Sequence, residues 1–157
     1  YAGLLVSQAK RLLLNVQKVC RHKILPELNL IIEYFAGPID AECVVAEKNR
    51  MIKDPLFDQS YNVLDDFRDA SMDYSIEGTK EIIEWIARNH NYSRKAAHLT
   101  TSPDQVVATT LFDKLKSTEL VINLKIFSTL EQAINWIDLD AKVQPIIELA
   151  IENLKSE

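Results

Sequence analysis

The sequence predicts an α/β domain: a mixed five-stranded sheet packed by helices, with extra helices at both ends. Short β-rich apolar runs alternate with amphipathic helical stretches, and the first two runs are separated only by a tight turn. Three glycines and five prolines in 157 residues leave little room for long loops. Strands that alternate with single helices pair mostly in parallel, because a parallel connection needs a crossover, whereas an opening hairpin is antiparallel.

Residues 4–19 read as a helix, with Leu5, Ala9, Leu12, Val16 and Val19 on one face. "RHKILPELNLIIEYFAG" reads as two strands around a turn at 26–29, the second broken by Gly37 and Pro38. Asp40 is the expected N-cap of a helix whose stripe is Ala41, Val44, Val45, Met51 and Ile52, with Pro55 ending it. "YNVLDDF" is the next strand and "IEGTKEIIEWIARNH" the next helix, with Ile82, Ile83, Ile86 and Ala87 inward. "RKAAHLTT" reads as a strand. Ser102, Pro103 and Gln105 then form a helix-start signature of cap, first-turn proline and capping-box partner. "ELVINLKIF" is the last strand, and a helix follows with Ser128 as cap and Glu131 behind it. A closing helix over 143–154 places Ile146, Ile147, Ala150, Ile151 and Leu154 on one side.

A chain of 157 residues that is 47% apolar and 26% charged suits one soluble domain with a sizeable core. The net charge of −5, with no basic cluster, argues against nucleic-acid binding, which needs Lys and Arg to neutralise phosphates. No apolar run reaches the roughly 20 residues of a membrane span. The leucine-rich start is interrupted by Lys10 and Arg11 and lacks the order of a signal peptide. Two cysteines, Cys20 and Cys43, are too few for a disulfide framework and read as reduced thiols of a cytosolic protein.

The densest polar feature is "VLDDFRDASMDYS", with Asp65, Asp66, Asp69 and Asp73 around Arg68. Strand alternation sends Asp65 and Asp66 to opposite faces, so they cannot chelate one ion together. Asp66 and Arg68 share a side and can pair, while Asp69 and Asp73 fall in the turn that follows. No metal site is expected: His22, His90 and His98 lack ligand spacing, and Cys20 with His22 supplies two ligands where zinc needs more. His98 reads as a strand histidine and not a catalytic base. Nucleophile-elbow, phosphate-loop and Cys-x-x-Cys motifs are absent, so neither a cofactor nor an enzymatic activity is expected.

The order of elements over 22–139 resembles the SpoIIAA-like branch of the STAS superfamily, through "LNLIIEYFAGPID", "DPLFDQSYNVLDDFRDASMDYS", "RKAAHLTTSPDQVVATTLFDKL" and "NLKIFSTLEQAINWI". The resemblance implies a small bacterial, cytoplasmic, non-enzymatic module that acts by protein–protein interaction. It also implies a loop after the middle strand, comprising Asp66, Arg68, Asp69, Asp73, Tyr74 and Ser75, as the binding site. In the family that loop carries Asp-Ser-Ser-Gly, whose first Ser is phosphorylated. Here "MDYSIEG" puts Asp73 on the Asp, Tyr74 on the acceptor Ser, Ser75 on the second Ser and Ile76 on the Gly. Ser75 or Ser71 is left as the alternative acceptor, against the simpler reading that Ser75 caps the next helix. The related CRAL-TRIO fold implies a second function, carriage of a small apolar or lipid-like ligand under the end helices. The same helices offer apolar surface for a homodimer.

Overall fold

The computed structural model describes residues 17–72, 75–89, 94–116 and 122–157. Five strands, β1 (Val19–Leu25), β2 (Leu30–Ile39), β3 (Asn62–Met72), β4 (Arg94–Leu99) and β5 (Ile122–Phe127), form one sheet in that order. β1 and β2 are antiparallel and the other pairs parallel. The hairpin turns through a 3₁₀ segment at Pro26–Leu28 and closes on Asn29, whose left-handed backbone (φ 48°) a short polar side chain tolerates.

Each parallel connection contains one helix: α1 (Ala41–Met51), α2 (Ile76–Asn89) and α3 (Pro103–Leu115). These helices cover one face of the sheet, over a core that includes Ile31, Phe35, Val63, Phe67 and Ile82. Helices α4 (Leu130–Trp136) and α5 (Gln144–Ser156) cover the other, over Leu30, Ile32, Leu64, Leu99 and Ile134. Side-chain alternation along every strand therefore sorts residues between two separate cores.

The helix starts are local chemistry. The Asp40 carboxylate accepts from the Cys43 N–H at 2.9 Å, and the Ser75 hydroxyl accepts from the Gly78 N–H at 2.9 Å. Gln105 accepts from the Ser102 N–H at 3.2 Å, the side-chain half of the capping box. At α4 the cap is Thr129, which accepts from the Gln132 N–H, and not Ser128: the helix begins one residue later than the Ser-Thr pair suggests.

Other expectations are corrected. Residues 4–16 of the first helix lie outside the described residues, and Val19, its expected end, is already strand. Gly37 and Pro38 do not break β2, which runs to Ile39. β1 pairs no further than Ala36, so among the described residues β2 pairs beyond it only with β3, and a proline is tolerated on such an edge stretch. Gly37 takes φ 74° there. With β2 extended, β3 extends too, and Asp69 is a strand residue rather than a turn residue. A bulge sets Phe67 and Arg68 against Phe35 alone, and Gln105 donates to the carbonyls of Phe67 (2.6 Å) and Ala70 (2.8 Å) on either side of it. In α2 it is Trp85 rather than Ala87 that is buried, its indole N–H donating to Asn49 at 2.8 Å. In α5, Ile146 faces solvent.

The cysteines are a disulfide, not thiols. Cys20 on β1 and Cys43 on α1 are 23 residues apart, yet α1 returns across β1 and brings their Cα atoms to 6.6 Å. The expectation of reduced thiols, on which the cytosolic reading rested, is replaced. No described helix is long and apolar enough to cross a membrane. Closing a loop of this length contributes about 3 kcal/mol by restricting the unfolded chain. Thiol titration of the denatured, unreduced protein should find no free cysteine, and reduction or Cys20→Ser should lower the unfolding free energy by about that amount.

Candidate functional site

The register of the sheet aligns ionisable side chains in a row under α1–α3. His22 on β1 stands opposite Glu33 on β2, Glu33 opposite Asp65 on β3, and Asp65 opposite His98 on β4. Because partners in register point to the same face, four polar groups cross the middle of an apolar layer. α1 and the turn that follows it supply their counterparts. Lys48 donates to Glu33 at 2.8 Å, and Glu47 and Asp54 meet the two ring nitrogens of His22 at 2.6 and 3.1 Å. His98 Nε2 lies 2.8 Å from Asp65. Glu33 is wholly buried, and Lys48, Asp65, Arg94 and His98 are nearly so.

Burial decides the charge states in this row. Glu33 is pushed up to about 7, chiefly by desolvation; Lys48 opposes this, and the neighbouring Asp65 adds to it. Desolvation also pushes Asp65 up, but the charge and hydrogen bond of His98, with help from Lys48, outweigh it and hold the carboxyl well below the usual range. The two carboxyls are within hydrogen-bond reach of each other. Glu33 Oε1 and Asp65 Oδ1 lack any other partner among the described residues, and a proton on Glu33 satisfies both. His22 is raised, foremost by its bond to Glu47.

Beside the row lies a cavity of about 50 Å³ between the sheet and the helices. Its walls are mainly apolar, from Val44, Val63, Ile82, Ile86, Ala96 and Leu124, and Lys48, Asp65, Arg94 and His98 enter it as polar groups. Thr109 of α3 also faces it, 3.4 Å from His98 Nδ1. Thr109, His98 and Asp65 thus stand in the order hydroxyl, imidazole, carboxylate. The Thr109 hydroxyl, however, donates to the Gln105 carbonyl at 2.9 Å, so toward His98 it can only accept, and its proton is not offered to a base.

The residues singled out in the sequence lie elsewhere. Asp66 and Arg68 do share the opposite face and form a two-point ion pair, both bonds 2.8 Å. Asp69 accepts from the Tyr34 hydroxyl at 2.8 Å and lies 3.5 Å from Lys155 of α5. Ser71 lines an open crevice beyond the carboxyl ends of β2 and β3, with Gly37, Arg68, Thr101 and Ser102. Asp73 and Tyr74 lie outside the described residues. Ser75 is an N-cap, and Asp40, Glu42, Glu77 and Glu81 line the same surface hollow, so like charge works against a phosphate there. The structure brings Asp66 and Arg68 together but not Ser75 with either. Among the described residues, no three potential ligands converge to hold a metal ion.

Sequence reasoning missed Glu33, Lys48 and Arg94. Glu33 carried a signal, a lone acid inside the apolar run "LIIEYF". Lys48 and Arg94 carried none, since both occupy positions that solvent usually claims.

No family model matches the chain, and no curated protein matches it. A solved structure does: an uncharacterized protein from the DUF3478 family with a SpoIIAA-like fold, from Shewanella loihica PV-4. The match covers 78% of this chain and 94% of that one, with a TM-score of 0.51 and 10% identity. The fold is SpoIIAA-like. At such identity the likeness concerns the arrangement of strands and helices alone, as the sequence resemblance implied.

The raised Glu33 has a defined consequence for stability. Its folded value of about 7 lies above the ordinary 4.5, so between these pH values the folded chain holds a proton that the unfolded chain has released. Stability from this group is complete below about pH 4.5 and is lost as pH rises through 7. His22 acts in the same direction from its ordinary 6.5 upward, and Asp65 in the opposite direction in strong acid. Chemical denaturation should show the wild type losing up to about 3 kcal/mol more than Glu33→Gln between pH 5 and 8. Equal losses would contradict the assignment.

Proposed function

We propose that this chain is a non-enzymatic binding module whose interior cavity takes up a small amphipathic molecule. The observation that carries the reading is the cavity itself: apolar walls with a few convergent polar groups are the usual composition of a small-molecule site. The commitment of the Thr109 hydroxyl to Gln105, and of His98 to Asp65, supports binding rather than chemistry. This reading follows the carrier function implied by the CRAL-TRIO resemblance, with the ligand under α1–α3 rather than under the end helices.

Ala96→Leu adds side-chain volume at the cavity wall. It should raise the unfolding free energy by about 1 kcal/mol and abolish uptake. The measurements are denaturation, xenon uptake by NMR, and identification of small molecules released when the purified protein is precipitated with acid. A wild type that takes up no xenon and releases nothing would refute the reading.

A second reading, regulation through a protein partner or a second copy of the chain, is favoured by α5. That helix packs on the sheet through Ile147, Ile151 and Leu154 and presents Ile146 and Leu149 to solvent at 49% and 62% exposure. Sedimentation should show self-association that Leu149→Glu removes; a monomer at micromolar concentration would dismiss the homodimer.

A further inference from the structure

Arg94 is the cation of the interior group whose donors are left open among the described residues. It opens β4 on the face of Ala96 and His98, is 5% exposed, and lines the cavity. Among the described residues its Nε and Nη1 have no hydrogen-bond partner and no carboxylate lies within ion-pair distance. Glu33 and Asp65 support its charge only through space, against the burial that opposes it. Lys48 is engaged with Glu33, and His98 with Asp65. A guanidinium stays charged, and leaving its donors dry in the interior is unfavourable. Such a group in a native interior calls for a partner, and the cavity is the space from which one can approach.

We propose that this partner is a short-chain monocarboxylate, its carboxylate on the Arg94 guanidinium and its alkyl part against Val63, Ile86, Ala96 and Leu124. The proposal rests on the cavity-binding reading and names its ligand class. Three observations select the class. Two open N–H donors on a permanent cation ask for an anionic oxygen acceptor. The apolar walls ask for a hydrocarbon part, which inorganic anions lack. Size sets the limit. A volume of about 50 Å³ exceeds the ~10–15 Å³ one water needs and falls well short of the ~150 Å³ of a cavity that takes benzene. A carboxyl with one or two further carbons, acetate or propionate, suits that space.

The test uses sodium propionate and 1-propanol, which share a chain and differ in the head group. Each is titrated into the ¹⁵N-labelled full chain at pH 7, and the Arg94 Nε–H resonance is followed. Propionate should shift that resonance and bind at least about tenfold more tightly than 1-propanol. Arg94→Met should lose propionate binding by a similar factor, keep 1-propanol binding, and fold at least as stably, since it removes an unpaired buried charge. Should that variant not fold, Arg94→Lys, which keeps the charge but not the planar fork, should still weaken propionate. Equal binding of the two probes, or propionate binding unaffected by loss of Arg94, would overturn the carboxylate assignment and leave the cavity reading standing. Binding of neither probe would also overturn the assignment, and xenon uptake would then decide the cavity reading separately.

Discussion

Glu33 and Asp65 lie side by side on adjacent parallel strands, on the face that α1–α3 bury. Two carboxylates cannot both be ionised there without a large penalty; Glu33 is pushed up to about 7 while Asp65 is held low, with Lys48 and His98 bracketing the pair. Much else on this face follows from that contact. Lys48 must come from the middle of α1, which fixes the rotation of that helix. His98 must be inward on β4, which fixes the register of β3 against β4. The remaining volume beside these groups is the cavity, and Arg94 is the cation at its edge.

α1 is held unusually firmly for a helix of 11 residues. The disulfide ties its first turn to β1, His22 meets Glu47 in its second turn, and Lys48 meets Glu33 beneath it. These attachments differ in kind. The disulfide restricts the unfolded chain, whereas the polar contacts are directional and depend on protonation. α3, the opposite wall, is anchored at its start by Gln105, which joins the α3 cap to the β3 bulge. The two walls therefore rest on different devices, one covalent and one amide-mediated.

Much of this architecture was legible because its signals are local. Asp40, Ser75 and Ser102 mark helix starts through bonds to backbone groups two or three residues on. Alternation along "NVLDDF" correctly separates Asp65 from Asp66 and places Asp66 with Arg68. The failures share a cause. Whether Pro38 ends a strand depends on which neighbour β2 has at that point, and whether Cys20 is a thiol depends on where α1 lands. Whether Lys48 is buried depends on what lies beneath it. Each is settled by a residue distant in sequence.

By itself the sequence determined the α/β class, the five strands and their sides, most helix starts and the SpoIIAA-like order of elements, because periodicity, turn chemistry and capping act within a few residues. Only the tertiary structure decided where the chemistry sits. It moved attention from the expected binding loop after β3 to the interior row of His22, Glu33, Asp65 and His98, with Lys48 and Arg94 beside it. Charges that are ordinary in water become strongly coupled once the sheet aligns them and the helices exclude solvent, and that alignment is a property of register between strands, which no single stretch of sequence contains.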